Sequence, residues 1–475
     1  MAAWKILIHI SNLLEQYKLG VEFRLSSSNS IKKFCEFKER MRITGRVCFL
    51  VLAILLVSVS AKGEEQENNP YVFEDRHFTT GLQTQHGRLR ILQNFAERSK
   101  LLLGIGNYRV AVLEAQPHTF IVPHYEDANA LLYVAQGEGA VSVVSEDNRE
   151  TFNIREGDIF WIAAGTPTYL INRHNNQNLV IAKLLQPVSV PGRVEAFFGA
   201  GGENPESFYK AFSDEILDAV FNARRDRWQS LFRKQRQGAI LKASEEQIRA
   251  MSREEGGIWP FGGQMKASVI NIREQRPSQS NQYGQLYEVN SSQHRQLQDH
   301  DVSISSANIN QGAMTTPYYN SEATQILIVE DGEGYFEMAC PHLSQQQGGQ
   351  QEQEQEQGQG QGQGQQQQQP RPSYQKVSSP LKRGTVVVVP AGHPYVAVAS
   401  NNQNLVLLSF EINSKNNRRY PLAGKRNIIN QLGREAKELA FRASARDVDE
   451  VFGSQNDEGF VKGPRQQQQG GRADA

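Results

Sequence analysis

Cysteine is scarce in this sequence, which has 3 cysteines in 475 residues. Two of them, Cys35 and Cys48, fall in an amino-terminal segment that we expect the mature protein to lack. Only Cys340 then remains, which excludes a disulfide framework within one mature chain. Stability therefore has to come from core packing and from association between chains.

Net charge is also lacking, because 51 basic residues balance 51 acidic ones. A chain without a broad positive field is a poor partner for nucleic acid, so we expect none. Low net charge favours association and makes solubility depend on salt. The sequence contains no Gly-x-Ser-x-Gly elbow, no P-loop and no dinucleotide fingerprint after a strand, so the common signatures of hydrolases, nucleotide-binding proteins and dehydrogenases are missing.

Long apolar runs are limited to one, from Val47 to Val57, which is shorter than the ~20 residues that a membrane-spanning helix needs. Two arginines precede it and Val-Ser-Ala follows it, a pattern typical of a signal peptide cut after Ala61. We therefore predict a signal peptide at residues 41–61, preceded by a non-native upstream extension at residues 1–40. An internal signal anchor is the alternative. The mature protein is expected to have no membrane segment.

Two parts of the chain resemble each other. PHYEDANALLYVAQGEGAVSVV, from Pro123, matches PYYNSEATQILIVEDGEGYFEM, from Pro317. GDIFWIAAGTPTYLI, from Gly157, matches GTVVVVPAGHPYVAV, from Gly384. The second copy is longer by a Gln/Gly-rich segment at residues 344–373. Such a segment has too few apolar side chains to offset the entropy lost on ordering, so we predict a disordered surface loop.

Short β-branched and aromatic runs such as VSVV, IFWIA and YVAVA alternate with turn sequences in each copy, which predicts a β-sandwich or barrel. A helical pattern follows each copy: SDEILDAVFNARRDRWQSLF begins at Ser213, and IINQLGREAKELAF begins at Ile428. Ser244 and Ser444 are expected to cap further short helices. The apolar stripes of these helices cover either their own barrel or a neighbouring copy, and matching helices after both copies could close a ring.

Taken in order, these stretches resemble a bicupin, and specifically a vicilin-type 7S seed storage globulin. The resemblance covers about residues 68 to 461 and also includes NNPYVF, FAERSKLLLGIGNYRVAVLEA and FYKAFSDEILDAVF. It implies a mainly β fold of two tandem cupin jelly-roll β-barrels, each followed by a helical extension, and a homotrimer. The expected domains are an N-terminal cupin at residues 62–255, a linker at 256–266, a C-terminal cupin at 267–455 and a flexible tail at 456–475.

Catalytic cupins resemble one another in a metal site of three histidines and a glutamate, which suits manganese or iron. The matching positions are His124, Glu126, Ala130 and Thr168 in the first barrel, and Tyr318, Asn320, Gln325 and Tyr395 in the second. Only one of them is a histidine, and alanine or threonine cannot replace imidazole. We therefore expect both catalytic metal sites to be degenerate, His124 to be structural, and the protein not to be an enzyme.

Cys340 and His342 are two residues apart and would share one face of an extended strand, although Pro341 indicates that the strand ends there. His393 lies on the PAGHP turn of the other block. A soft sulfur with two imidazoles favours copper, with zinc as second choice. The set resembles that of some vicilins, which carry copper through a cysteine, two histidines and a tyrosine, and Tyr71 in NNPYVF matches the tyrosine. The alternative is a buried, inert cysteine beside two surface histidines.

Storage demands nitrogen, dense deposition and later proteolysis. The glutamine tract supplies amide nitrogen and an exposed entry for proteases. We therefore expect a nutrient reservoir that enters the secretory pathway, and the resemblance implies the protein storage vacuole of seed.

One alternative to storage is a bicupin that binds a small molecule, a sugar or a small acid, in a barrel cavity with Tyr318, Gln325 and Tyr395. A redox copper protein is another alternative. Asn290-Ser291-Ser292 is a candidate glycosylation sequon, which we expect in a loop before the second barrel.

Overall fold

Two antiparallel barrels make up most of the part of the chain that the structure describes, and each is built from one of the repeated blocks. The computed structural model describes residues 69–146, 148–252, 269–291, 294–343 and 373–464. The predicted upstream extension, signal peptide, linker 256–266 and residues 344–372 of the Gln-rich segment lie outside the described residues. In the described part of the chain, no helix is long and apolar enough to cross a membrane.

The strands of the first half are β1 (Val72–Phe73), β2 (Phe78–Thr84), β3 (Gly87–Leu92), β4 (Arg109–Ala115), β5 (Thr119–Glu126), β6 (Ala128–Gln136), β7 (Glu138–Val144), β8 (Arg149–Arg155), β9 (Asp158–Ile162), β10 (Thr168–Asn172), β11 (Leu179–Pro187), β12 (Ala196–Phe197) and β13 (Ile240–Lys242). Those of the second half are β14 (Ile270–Asn271), β15 (Gln279–Asn281), β16 (Gly284–Val289), β17 (Val302–Ile309), β18 (Ala313–Thr315), β19 (Tyr318–Asn320), β20 (Thr324–Asp331), β21 (Glu333–Cys340), β22 (Gln375–Lys382), β23 (Val386–Val389), β24 (Tyr395–Ala399), β25 (Leu405–Ile412), β26 (Arg419–Pro421) and β27 (Phe460–Lys462).

The helices are α1 (Phe95–Arg98), α2 (Asp214–Phe221), α3 (Arg225–Lys234), α4 (Glu245–Met251), α5 (Arg295–Asp299), α6 (Arg434–Phe441) and α7 (Ala445–Phe452). Short 3-10 turns lie at Asp75–His77, Lys100–Ile105, Phe208–Ala211 and Ile272–Glu274.

Each barrel is two facing sheets. In the first barrel, one sheet has the strand order β14-β9-β6-β11-β4-β3-β2, and the other has the order β12-β5-β10-β7-β8 with β13 beside β5. In the second barrel the orders are β1-β23-β20-β25-β17-β16-β15 and β22-β21-β24-β18-β27. Alternate residues of a strand face the interior, so Ile181 and Leu185 of β11 join the core of the first barrel. The predicted pair of β-barrels is confirmed.

The two barrels exchange their first strands. Strand β1 precedes the first barrel but pairs with β23 of the second, with Val72 opposite Val387. Strand β14 precedes the second barrel but pairs with β9 of the first, with Ile270 opposite Ile159. In the structure, the predicted domains 62–255 and 267–455 therefore each contribute their first strand to the other barrel. The exchange carries Tyr71 to the second barrel.

The helix predictions are confirmed in part. Ser244 forms a capping box with Gln247, and the Ser444 side chain accepts from the Asp447 N–H. Ser213 precedes α2 but its side chain makes no capping hydrogen bond. The expected helix from Ser213 breaks into α2 and α3, because Asn222 adopts a left-handed conformation that ends α2.

Two further predictions about the second half need correction. Residues 456–475 are not all a flexible tail, because β27 pairs with β18 and buries Phe460. Asn290 does not precede the second barrel, because it directly follows strand β16 of that barrel and is half-buried. Both were missed because a three-residue strand and a short inter-strand loop have almost no pattern of their own in the sequence.

Candidate functional site

Cys340 ends strand β21 and is fully buried. The chain exchange brings Tyr71 to it, so that the Tyr71 hydroxyl lies 3.4 Å from the Cys340 sulfur. Burial by itself would raise the pKa of this thiol, but interactions with His393 and Tyr71 outweigh it and lower the pKa to about 7. A substantial fraction of the sulfur is then thiolate near neutral pH, which is the form that binds metals.

His393 lies on the turn between β23 and β24 and is 3% exposed. Its Nδ1 is 3.0 Å from the Ala391 carbonyl oxygen, which requires Nδ1 to donate. Its Nε2 is buried and makes no hydrogen bond of good geometry within the described residues. Burial would lower the pKa of His393, but interaction with Cys340 raises it overall. Because Nδ1 is held by the Ala391 carbonyl, Nε2 is the nitrogen that a metal would use.

His342 lies just beyond β21, on the surface, and its ring centre is 5.1 Å from that of His393. The structure therefore brings together all four residues of the predicted copper site. As they stand, no three His, Cys, Asp or Glu side chains in the described part of the chain are grouped closely enough to hold a metal ion. Burial and the neighbouring His393 lower the pKa of His342, which keeps its imidazole neutral and able to act as a ligand.

The degenerate metal position of the first barrel is filled by an ion pair. Lys183 Nζ lies 2.5 Å from Glu126 Oε1, and both side chains are almost fully buried. His124 has Nδ1 2.8 Å from the Val122 carbonyl oxygen, and Thr168 lies directly opposite it on β10. Sequence reasoning missed Lys183, although it lies between Ile181 and Leu185 with the parity of inward-facing residues.

The matching region of the second barrel is open. Tyr318, Gln325 and Tyr395 line a cavity of about 520 Å³, together with Ser409 and Arg419. Tyr318 and Tyr395 lie opposite each other on β19 and β24, and their hydroxyls are in contact. Asn320 is not among the lining residues and instead accepts a hydrogen bond from Asn417 Nδ2 at 3.1 Å.

Comparison with known protein families matches the cupin domain to residues 83–223 and 270–449. The chain is 51% identical over 419 residues to vicilin Cor a 11.0101 of Corylus avellana, an alignment that covers 87% of this chain and 88% of that protein. It is 52% identical over 416 residues to vicilin Jug r 6.0101 of Juglans regia, with coverage of 86% and 81%.

Solved structures agree with these relatives. The crystal structure of the vicilin from Corylus avellana superposes with a TM-score of 0.74 at 49% identity, covering 83% of this chain and 100% of that one. A vicilin from Solanum melongena, with different anionic ligands in structurally similar pockets, superposes with a TM-score of 0.76 at 36% identity, covering 84% and 99%.

Proposed function

Because this chain belongs to the vicilin-type 7S globulins, the seed storage proteins of the cupin family, we propose that it is laid down in seed as a homotrimer that carries one copper ion per chain and catalyses no reaction. Its standing as a seed storage globulin rests on vicilins of about 50% identity over most of the chain. The glutamine tract adds amide nitrogen to the store. Quantitative immunoblots across seed filling and germination should show accumulation and then loss, and a constant level would contradict a reservoir.

Copper would be held by Cys340, His342, His393 and Tyr71. The buried Nε2 of His393 and the lowered pKa of the Cys340 thiol support this donor set, which suits a soft metal. Copper bound there would supply either a structural cross-link or redox chemistry. Tyr71 precedes β1, so the site would tie the amino-terminal arm to the second barrel.

Elemental mass spectrometry of the mature protein, purified without chelators, tests this site. We expect near one copper per chain in the wild type, loss in Cys340→Ser, and retention in His86→Asn, which changes a histidine on the β2–β3 turn. Manganese or iron at that level would overturn the non-catalytic proposal. No metal in the wild type would make Cys340 a packing residue.

The homotrimer is supported by apolar side chains on the outer helices. Val220 of α2 and Leu231 of α3 are 64% and 59% exposed, and Leu439 of α6 and Val451 of α7 are 81% and 67% exposed. The helices after the first barrel and those after the second present different apolar surfaces. Such a pair suits a head-to-tail contact between neighbouring chains that closes a ring. Sedimentation velocity should show a trimer that Leu439→Lys dissociates and that Leu103→Lys, at an exposed leucine outside these helices, leaves intact. A monomeric wild type would contradict the proposal.

A second role, ligand retention, is favoured by one observation in the second barrel. Ser409 Oγ lines the cavity, is buried and has no hydrogen-bond partner in the described chain. A buried hydroxyl without a partner is costly, so an occupant that bonds it would stabilise the fold. Native mass spectrometry of gently purified protein should detect a small molecule per chain, and its absence would count against retention.

Delivery to the protein storage vacuole is part of the proposal, because the relatives are seed storage vicilins. Glycosylation at Asn290 is compatible with its place in a loop directly after β16. Peptide mapping with and without glycosidase, on protein from isolated vacuoles, tests both. A protein absent from the vacuole would contradict the route, and an unmodified Asn290 would contradict the glycan.

A further inference from the structure

We propose that a cleft between the two barrels binds a small molecule through a primary ammonium group. The cleft has a volume of about 460 Å³ and is lined by residues of both halves of the chain. It contains none of the candidate copper ligands, and it is distinct from the cavity inside the second barrel. Three observations carry the proposal: a bulge that brings two carboxylates to the cleft, polar groups without partners, and an excess of negative charge.

The cleft lies on the outer face of a sheet whose inner face lines the second-barrel cavity. Ser306 and Asn308 of β17 line the cleft, whereas Ser305 and Ala307 of the same strand line the cavity. Successive residues of a strand point to opposite faces of the sheet, so the two spaces are on opposite sides of it. The first barrel contributes the facing wall, which includes Ala135 of β6.

A β-bulge in β20 brings two neighbouring carboxylates to the cleft. The pairing of β20 with β25 sets Asp331 opposite Val406 and leaves Glu330 as the extra residue. In a regular strand these two side chains would point to opposite faces, but beside the bulge both line the cleft. The matching bulge in β6 leaves Ala135 as the extra residue, next to Gln136. Only the second barrel therefore supplies carboxylates at this position.

Two polar groups of β17 face the cleft without a hydrogen-bond partner. Asn308 Oδ1 is buried and unpartnered within the described residues. Ser306, two residues earlier on the same face, is 5% exposed, and its hydroxyl makes no hydrogen bond in the part of the chain that the structure describes. A buried amide oxygen without a partner is costly, and only a hydrogen-bond donor can satisfy it. An occupant of the cleft therefore has to donate.

The strand register places a second acceptor near Asn308. Asn308 and Asp331 are each paired with Val406, one from either side. Because neighbouring strands are about 4.8 Å apart, the amide and the carboxylate flank the half-buried valine. An ammonium group above Val406 would donate one hydrogen bond to Asn308 Oδ1 and another to the Asp331 carboxylate. Its alkyl chain would pack against Val406 and Ala135.

The charged side chains of the cleft favour a cation. Three carboxylates, Glu156, Glu330 and Asp331, face two guanidinium groups, Arg273 and Arg383, which leaves one negative charge in excess. Arg273 pairs with both glutamates. Within the described chain, no ion pair joins Asp331 to a basic side chain. The acidic side chains there are also not grouped closely enough to hold a metal ion, so an organic cation fits better.

The charge of Glu330 is incompletely offset. Its side chain is 9% exposed, and its carboxylate accepts from the Tyr133 hydroxyl at 3.0 Å and from Arg273 Nη2 at 2.8 Å. Burial raises the pKa of Glu330, and the nearby Glu156 and Asp331 add to this rise. Arg273 and Tyr133 do not cancel it. A further cation in the cleft would favour the ionised carboxylate.

Three small ions, titrated calorimetrically into the full mature protein at neutral pH, test the class. Butylammonium is a cation with N–H donors, tetramethylammonium is a cation without them, and butanoate is an anion. Butylammonium should bind about tenfold more tightly than either of the others, the factor that corresponds to one charge-assisted hydrogen bond. Equal or tighter binding of tetramethylammonium or butanoate would overturn the proposal, as would no binding of butylammonium.

Four variants locate the site. Asn308→Ala and Asp331→Asn should each weaken butylammonium about tenfold. Glu246→Gln, at an exposed carboxylate of α4, and Ser409→Ala, in the second-barrel cavity, should leave its affinity unchanged. If Asn308→Ala loses its native circular dichroism, Asp331→Asn decides alone, because Asp331 is exposed. Unchanged affinity in Asp331→Asn, or a loss in Ser409→Ala, would place the ammonium group elsewhere and overturn the proposal.

Discussion

The interior of the first barrel is closed by an ion pair, whereas the same region of the second barrel is open. The repeated NNQNLV stretches place Lys183 and Ser409 at equivalent positions of β11 and β25. A long cation with its carboxylate fills one interior, and a small hydroxyl leaves about 520 Å³ in the other. The duplicated framework thus tolerates opposite interiors, because strand pairing depends on the backbone and not on these side chains.

A second difference lies at the barrel edge. The repeats place Ser145 and Thr166 of the first barrel where the second has Cys340 and His393. Neither serine nor threonine is a soft metal ligand. The exchange of first strands occurs at both barrels, but it delivers a tyrosine to only one of them. The two barrels therefore share a fold, but only the second has the side chains of the candidate metal site.

Removing one partner of the buried ion pair should have the largest effect. Lys183→Met leaves Glu126 buried without its cation and should lower the free energy of unfolding by about 3–5 kcal/mol, measured by urea denaturation. Lys183→Met combined with Glu126→Leu should recover most of that loss. Arg434→Ala, in an exposed pair with Glu438, should cost about 0.5 kcal/mol or less. Equal losses for Lys183→Met and Arg434→Ala would contradict a closed first interior.

Low pH should weaken the stabilisation that the Lys183–Glu126 ion pair gives to the first barrel. Burial would raise the pKa of Glu126, but Lys183 and His124 lower it overall, below its ordinary value of 4.5. The resulting stability is complete above that value and is lost as the pH falls through the lower pKa of the folded state. The stability advantage of the wild type over the Lys183→Met/Glu126→Leu variant should therefore shrink on acidification. A difference in free energy of unfolding between the two proteins that does not change with pH would contradict a lowered Glu126 pKa.

The matching GEG turns should respond to the same change by different amounts. Gly137 and Gly332 have φ of 85° and 82°, and an added Cβ would lie 2.4 Å from Asn178 O and 1.8 Å from Asn404 O. Alanine at either site should cost about 1–3 kcal/mol, with Gly332→Ala the worse. Gly104→Ala, where an added Cβ meets nothing within 4 Å, is the control. Equal thermal midpoints for all three would refute the argument.

The smallest effect concerns the thiol that only the second barrel has. In metal-free protein, the alkylation rate of Cys340 should rise with pH around a midpoint of about 7. Both His393→Gln and Tyr71→Phe should move the midpoint to higher pH, and His393→Gln should move it further because its interaction is the larger. An unmoved midpoint in both variants would show that neither side chain stabilises the thiolate.

Strongly patterned parts of the fold were predictable from sequence. Runs such as GTVVVVPAGHPYVAV alternate short apolar strands with turns, a pattern typical of a β-sandwich or barrel. The family resemblance and the spacing of Cys340 and His342 also predicted the four residues that the structure brings together around Cys340. Strands β1, β14 and β27 were not predicted, because two or three residues show no periodicity and pair only with distant partners.

By itself the sequence determined the duplication, the presence of one cysteine in the repeated part of the chain, the loss of the cupin ligands and the nitrogen-rich tract, since each of these is a matter of residue identity. Only the tertiary structure decided that Lys183 meets Glu126, that Tyr71 crosses to Cys340, and that hydrogen bonds join Tyr395, Tyr318, Gln325 and Glu411. Most of these contacts join residues far apart in the chain, so a local sequence pattern does not indicate them.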